Sequence, residues 1–124
     1  MSMKKILVTG ASGKAGQETV RHLAAAGYEV LATDVAPRPE GLEGPFLGAD
    51  LTEYGEAVEL VAGQDAVVHL ANIPANGIYT ESHTFNTNIV MNSNVFLAAA
   101  QLGLKRVVWA SSETTLGLPF DPPT

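Results

Sequence analysis

The 124-residue sequence contains no cysteine and few basic residues. Without cysteine, the chain can form neither a disulfide framework nor a thiolate nucleophile. Seven lysines and arginines stand against thirteen aspartates and glutamates, so the formal net charge is −6. A negative charge of this size repels a polyanion, and the few cations are not clustered. We therefore predict no nucleic-acid partner.

Long apolar runs are also absent from the chain. No run approaches the roughly 18 apolar residues that a membrane span requires, and residues 1–5 (MSMKK) lead into a strand pattern without a signal-peptide cleavage site. These features predict a cytoplasmic protein with no membrane contact. The three histidines, His22, His69 and His83, lack the spacing of metal ligands, so no metal is predicted either.

The composition is that of a folded domain. Hydrophobic residues make up 46% and charged residues 16% of the chain. This suffices for a packed core, and the length corresponds to one domain over residues 1–124. The last six residues, 119–124 (PFDPPT), form a turn-rich pattern that is an unusual end for a complete enzyme. We therefore expect an amino-terminal fragment of a longer chain.

Short runs rich in β-branched residues alternate with longer helical patterns. The predicted strands are Lys4 to Thr9, Glu29 to Thr33, Phe46 to Ala49, Asp65 to Leu70 and Lys105 to Ala110, and the predicted helices are Lys14 to Ala26, Glu53 to Val61 and Thr84 to Leu102. This alternation is typical of parallel strands joined by crossover helices. It predicts an α/β fold, a doubly wound parallel sheet of the Rossmann type with strand order 3-2-1-4-5.

A glycine-rich loop joins the first predicted strand to the first predicted helix. Backbone N–H groups and the positive end of the helix dipole face an incoming anion at such a position. Gly10 permits the tight turn, Gly13 lets phosphates approach the backbone, and Gly16 lets the helix pack close to the strand. The alternative is a glycine-rich turn without a ligand. We predict a pyrophosphate site formed by Gly10, Ala11, Ser12, Gly13, Lys14, Ala15 and Gly16.

Asp34 closes the second strand, 18 residues after Gly16. A carboxylate at this position can accept hydrogen bonds from both hydroxyls of an adenine ribose, and its charge repels a 2′-phosphate. The predicted cofactor is therefore NAD, with NADP less favoured, although the nearby Arg38 can soften the exclusion of NADP. The alternative role of Asp34 is that of a solvated aspartate capping a turn.

The spacing Thr-Gly-x-x-Gly-x-x-Gly at Thr9 to Gly16 resembles that of the extended short-chain dehydrogenase/reductase family, which includes NAD-dependent sugar epimerases and dehydratases. The similarity continues to about Gly117. It implies the NAD-binding part of the family fold without its later strands, and a sugar-like small-molecule substrate with a hydroxyl or keto group. Leu116 stands where many sugar-nucleotide members have a tyrosine, which weakens the case for a nucleotide-sugar substrate.

Segments after the third and fourth strands also match the family. Asp50-Leu51 resembles the pair whose aspartate contacts the adenine amino group, although Asp50 and Glu53 also have the spacing of a capping box. His69-Leu70-Ala71-Asn72 resembles the family's His-x-Ala-Ala, which packs beside the cofactor's ribose and pyrophosphate. The resemblance implies a structural role for His69 and cofactor contacts for Asp50, Leu51, Leu70, Ala71 and Asn72.

The long helix and the fifth strand carry the remaining matches. Residues 88–95 (NIVMNSNV) resemble the family's Asn-Val-x-Gly-Thr-x-Asn-Val, with Met91 and Asn92 in place of Gly-Thr. The resemblance implies that Asn88 supports the active site beside the cofactor and that Asn94 ties backbone segments together; a polar helix face is the alternative. Ser112 matches the catalytic serine that hydrogen-bonds the reacting substrate oxygen, with a loop serine as its alternative role.

The general base of the resembled family is a tyrosine whose pKa is lowered by a lysine four residues later. None of the tyrosines, Tyr28, Tyr54 and Tyr79, is followed by such a lysine, so we expect no turnover from these 124 residues alone. Two hypotheses stay open: the cofactor half of an NAD-dependent oxidoreductase, epimerase or dehydratase, and a non-catalytic NAD(P)-binding or redox-sensing module. An uncovered fifth strand at the sheet edge favours association into a homo-oligomer.

Overall fold

The computed structural model describes residues 4–73 and 79–109 and contains alternating strands and helices. In chain order the elements are β1 (Lys5–Thr9), α1 (Lys14–Ala25), β2 (Glu29–Asp34), β3 (Phe46–Gly48), α2 (Tyr54–Val61), β4 (Ala66–His69), α3 (Glu81–Leu102) and β5 (Arg106–Trp109). Every predicted strand and helix is therefore present.

The five strands form one parallel sheet in the order β3-β2-β1-β4-β5. This confirms the predicted strand order. In the centre of the sheet, Leu7 of β1 pairs with Leu31 of β2 on one side and with Val67 of β4 on the other. The chain moves outward from β1 to β3 and then returns to β4, so the order of the strands reverses beside β1. Open parallel sheets bind ligands at the carboxyl ends of the strands at such a reversal.

Helices cover both faces of the sheet. The face toward α1 is packed by Ile6 and Val8 of β1 against Val20 of α1. The opposite face is packed by Leu7 of β1 against residues of α2 and α3, including Val95. Because both faces of β1 are covered, its sequence is a continuous apolar run rather than an alternating one. In contrast, all four residues of β5 at the edge are exposed.

The main difference from the predicted elements is the start of α3. The helix begins at Glu81, three residues before the predicted Thr84, because Thr80 caps it: the Thr80 hydroxyl accepts the His83 N–H at 3.1 Å. The other element ends lie within one residue of the predicted ends. Within the ranges described above, no helix is both long and apolar enough to cross a membrane.

Candidate functional site

A cleft of about 660 Å³ lies at the carboxyl ends of β1 to β4 and is bounded on one side by α3. Its lining combines the phosphate loop, the ends of the strands and one stripe of the long helix: Gly10, Gly13, Thr33, Asp34, Val35, Ala49, Asp50, Leu51, Thr52, Leu70, Ala71, Asn72, Ile73, His83, Asn86, Thr87, Val90 and Met91. The cleft therefore occupies the position that the reversal of strand order indicates.

The structure shows for each of the three loop positions whether a side chain could replace glycine. Gly10 adopts φ +72°, and a Cβ there would lie 2.7 Å from the Ala71 backbone nitrogen. A Cβ on Gly16 would lie 2.0 Å from the Gly10 carbonyl oxygen, so only glycine lets α1 approach the loop this closely. A Cβ on Gly13 would meet only the Gly10 carbonyl oxygen, at 3.5 Å. Gly13 is thus required by neither the turn nor the packing, and its open side faces the cleft.

Three N–H groups of the loop are already used inside the protein. They are donated by Ala11 to the Thr33 carbonyl at 3.0 Å, by Ser12 to the Asp34 carboxylate at 2.9 Å and by Gly13 to the Gly10 carbonyl at 3.2 Å. Ala11 is also completely buried, in the core beneath α1. Ala11 and Ser12 therefore shape the loop through these bonds.

The first turn of α1 supplies the N–H groups that suit an anion. Intrahelical bonding starts with the Gln17 N–H donating to the Gly13 carbonyl, so the N–H groups of Lys14, Ala15 and Gly16 have no intrahelical acceptor. Gly13 is the N-cap and has no side chain to satisfy them. A diphosphate beside Gly13 would meet these N–H groups and the positive end of the helix dipole. The residues present therefore fit a dinucleotide pyrophosphate.

Asp34 ends β2 on the cleft. One carboxylate oxygen accepts the Ser12 N–H at 2.9 Å, and the other accepts the Ala36 N–H at 3.1 Å. Each carboxylate oxygen has two acceptor positions, so both oxygens keep one position for a ribose hydroxyl. The bonds to Ser12 and Ala36 hold the carboxylate at the cleft edge. The Arg38 side chain is engaged nearby, donating from Nε and from a terminal guanidinium nitrogen to the Leu42 carbonyl at 2.9 and 2.7 Å.

Asp50 and Leu51 follow β3 on the same rim. The Asp50 carboxylate accepts both the N–H and the hydroxyl of Thr52, at 2.9 and 2.6 Å. The capping box that the spacing of Asp50 and Glu53 offered as an alternative is not formed. Glu53 is itself the N-cap of α2 and makes no side-chain cap bond. Instead, Glu56 accepts the Asp50 N–H at 2.7 Å. The Asp50 side chain thus stabilises its own turn, and Leu51 is buried against the core.

The completely buried His69 joins three elements beneath the cleft. Its Nδ1 lies 2.7 Å from the Thr9 hydroxyl of β1, and its Nε2 lies 2.8 Å from the Asn92 amide oxygen of α3. The Thr9 hydroxyl oxygen also accepts the N–H groups of Leu70 and Ala71, each at 3.0 Å. Desolvation lowers the pKa of His69 below its ordinary 6.5, while the hydrogen bond to Asn92 acts in the opposite direction. His69 is a neutral structural residue at neutral pH.

Asn88 and Asn94 on α3 fix two backbone segments next to the cleft. Asn88 is 4% exposed; its amide oxygen accepts the Ile73 N–H at 2.8 Å, and its amide nitrogen donates to the Ile73 carbonyl at 3.0 Å. Asn94 donates to the Leu51 carbonyl at 2.8 Å. Both side chains thus hold residues that line the cleft, and Asn88 does so from a buried position behind the wall.

The structure brings most of the predicted cofactor residues together. Those on the cleft are Gly10, Gly13, Asp34, Asp50, Leu51, Leu70, Ala71 and Asn72. Those that support it from the loop, from α1 or from behind the wall are Ala11, Ser12, Lys14, Ala15, Gly16 and Asn88. Their contacts with a cofactor stay predictions. Ser112, the predicted catalytic residue, lies outside the described residues.

Two groups of site residues were missed by the sequence analysis. His83, Asn86, Thr87 and Val90 line the cleft from α3, and their spacing of three and four residues marks one helix face. Asn92 was noted as a departure from the family pattern, but its bond to His69 was not foreseen. The available signal was that Asn92 follows Asn88 by four residues, which places both on the same side of α3.

Comparison with known proteins gives one family. The model of the NAD dependent epimerase/dehydratase family matches residues 6–123. The bifunctional UDP-glucose 4-epimerase and UDP-xylose 4-epimerase 3 of Arabidopsis thaliana is 31% identical, over 94% of this chain and 38% of that protein. The 2-alkyl-3-oxoalkanoate reductase of Stenotrophomonas maltophilia is 37% identical, over 87% of this chain and 33% of that protein.

A solved structure agrees with these sequences. The uronate dehydrogenase of Agrobacterium tumefaciens, a variant crystallised with NAD, superposes with a TM-score of 0.76 at 32% identity, over 90% of this chain and 42% of that one. The chain thus spans at most about two fifths of the length of these three relatives.

The parallel sheet, the reversal beside β1 and the glycine loop define a dinucleotide-binding α/β unit. Because the family model matches nearly its whole length, the chain belongs to the NAD-dependent epimerase/dehydratase family. This confirms the predicted family, and it confirms NAD as the cofactor on which that family depends.

Proposed function

We propose that this chain binds NAD(H) in the cleft and forms the cofactor half of an NAD-dependent oxidoreductase, epimerase or dehydratase. The substrate class is a sugar-like molecule that reacts at a hydroxyl or keto group. When bound, the nicotinamide ring of the cofactor accepts and returns a hydride. The chain's own residues bind and orient the cofactor. The tyrosine–lysine pair that the resembled family uses as its base is not among them, because no tyrosine in the 124 residues precedes a lysine by four positions.

The observation that carries this proposal is the open side of Gly13. Glycine is required at position 10 by the turn and at position 16 by close packing. These two glycines would therefore be needed even in a loop that binds no ligand. Gly13 has an extended backbone, with φ −77° and ψ 169°, which any residue can adopt. It also has room for a Cβ. Glycine is tolerated at an N-cap, where serine or aspartate would satisfy more N–H groups, and a ligand that approaches the backbone favours glycine here.

Calorimetric titration with NAD tests the proposal. Gly13→Val puts a branched side chain where the pyrophosphate would lie, and we expect NAD affinity to fall at least about 100-fold, or about 2.7 kcal/mol. The fold should be kept, because β-branched residues favour an extended backbone. Gly13→Ala should give a smaller loss.

The matched control is Gly55→Ala at the exposed start of α2, where a Cβ would meet nothing within 4 Å. This variant adds the same methyl group away from the cleft, so NAD affinity should be unchanged. Wild-type affinity in both Gly13 variants, with their thermal unfolding intact, would refute the pyrophosphate site.

The substrate class rests on two of the three relatives, which are named as a UDP-glucose epimerase and a uronate dehydrogenase. The third is named as a reductase of a 3-oxoalkanoate, so the class needs its own test. In the natural protein that contains these residues, NADH absorbance follows turnover of a uronate and of a 3-oxoalkanoate, and chromatography follows conversion of UDP-glucose, because epimerisation leaves no net NADH. Turnover of the oxoalkanoate alone would refute a sugar-like substrate.

A further inference from the structure

Three side chains from β1, β4 and α3 form a hydrogen-bonded series, Thr9–His69–Asn92, beneath the wall of the cleft. We infer that this series positions the Leu70–Ala71 backbone, with Thr9 and Asn92 together holding the neutral His69 ring in its Nε2–H tautomer. Cofactor affinity then follows the protonation of His69. The effect on NAD rests on the proposed function, whereas the positioning role does not.

The hydrogen bonds around His69 determine which nitrogen of the imidazole ring carries the hydrogen. The Thr9 hydroxyl oxygen already accepts the N–H groups of Leu70 and Ala71. A hydroxyl has two acceptor positions and one proton to give, so that proton must go to Nδ1 of His69. Nδ1 is therefore the unprotonated nitrogen. Nε2 carries the hydrogen and donates it to the amide oxygen of Asn92.

Protonation of His69 conflicts with this arrangement. An Nδ1–H group would point at the Thr9 oxygen, whose acceptor positions are occupied. Either the imidazolium proton stays unsatisfied in a buried site, or Thr9 releases Leu70 or Ala71. Both of these residues line the cleft, and the Ala71 nitrogen is one of the backbone atoms against which Gly10 packs. A change at His69 therefore reaches the phosphate loop.

Among the residues that the structure describes, no charged group acts on the His69 ring. Besides Thr9 and Asn92, the ring meets Phe96 of α3 edge-on at 6.0 Å between centroids, and in the sheet His69 pairs with Trp109 of β5. None of these four neighbours is charged or titratable near neutral pH. Asn92 is thus the neighbour whose replacement by a charged or an apolar residue can shift the pKa of His69.

Amide hydrogen exchange followed by NMR from pH 8 downward, until His69 has titrated, tests the positioning role without any cofactor. Nitrogen correlations of the imidazole should show the Nε2–H form at high pH. As His69 titrates, the protection factors of Leu70 and Ala71 should fall with the same midpoint, while that of Val67, in the middle of β4, stays constant. An Nδ1–H form, or unchanged protection through the titration, would overturn the inference.

Asn92→Asp sharpens the test. A carboxylate facing Nε2 favours the imidazolium by about one pKa unit or more, so the midpoint for Leu70 and Ala71 should move upward by at least one pH unit. Ser93→Asp adds the same charge at the next, exposed position of α3 and should leave the midpoint in place. If Asn92→Asp does not fold, Asn92→Leu removes the acceptor of Nε2–H instead, so the midpoint should move downward while Thr9 keeps the Nε2–H tautomer. An unchanged midpoint in Asn92→Leu would contradict the role of Asn92.

NAD titrations at the same pH values connect the two proposals. We expect affinity to fall about tenfold with the midpoint of His69. If NAD binds equally at all pH values while Leu70 and Ala71 lose protection, the predicted coupling is wrong. If the protein binds no NAD at any pH, the proposed function fails, and the exchange data still decide whether Thr9–His69–Asn92 positions this backbone.

Discussion

The two ends of the parallel sheet use glycine for different reasons. At the amino ends of the strands, Gly27 and Gly63 occupy turns with φ of +99° and +83°, and a Cβ on either would meet nothing within 4 Å. At the carboxyl ends, Gly10 and Gly16 are confined by backbone atoms within 3 Å of the missing Cβ. At the amino end these glycines serve only the turns that enter the strands. At the carboxyl end, glycine allows separate backbone segments to pack closely together.

The aspartates of the two ends show the same contrast. Asp65, at the amino end, accepts the N–H groups of Lys4 and Lys5 with one carboxylate oxygen, at 2.8 and 2.9 Å. Asp34, at the carboxyl end, accepts one N–H group on each oxygen and lines the cleft. Asp65 joins two strand starts at an exposed site, while both oxygens of Asp34 keep an acceptor position beside the cleft. The difference between the ends is thus one of accessibility to a bound molecule.

The largest expected effect separates the two kinds of glycine. Gly16→Ala should lower the free energy of unfolding by about 3 kcal/mol, because its Cβ would overlap the Gly10 carbonyl and the backbone has to move. Gly63→Ala meets no obstacle and should cost only the left-handed conformation, about 1–2 kcal/mol. Urea denaturation measures both. Equal losses in the two variants would contradict the proposed difference between the ends.

The next effect separates the two aspartates. Asp34→Ala removes the proposed ribose acceptor and a charge that would repel a 2′-phosphate, so the preference for NAD over NADP should shrink about tenfold, or about 1.4 kcal/mol. Asp65→Ala removes a carboxylate of the same size at the opposite end and should leave both affinities unchanged. Calorimetry with both cofactors gives the ratio. A wild type without preference for NAD would refute the role of Asp34.

The carboxyl end was predictable from sequence where the site is contiguous. Gly10, Gly13 and Gly16 lie within one loop whose flanking strand and helix have clear patterns, so local geometry follows from residue order. The bond between His69 and Asn92 depends on where α3 packs against the sheet, which residue order does not specify. The start of α3 was missed because the first buried residue is Thr84, whereas the cap at Thr80 precedes it by one turn.

The smallest expected effect is on the pH dependence of the free energy of unfolding, which differs between the two ends of the sheet. For His69, whose pKa is lowered by burial, the unfolded chain binds the extra proton first, so stability falls as the pH drops below 6.5 toward the folded pKa. For Asp65, hydrogen bonds from the Lys4 and Lys5 N–H groups lower the pKa below 3.8, so its contribution is present above that pH and is lost as the pH falls further. Asp65 is exposed, so solvent screening keeps its effect small.

Asp65→Asn tests this separation by pH. Below about pH 4 the variant should lose less stability than the wild type as the pH falls, while the decrease that begins near pH 6.5 should be unchanged. Urea unfolding measured from neutral pH to below pH 4 gives both parts of the profile. If Asp65→Asn altered the decrease that begins near pH 6.5 instead, the amino-end aspartate would be coupled to the cleft, and the two ends of the sheet would not be independent.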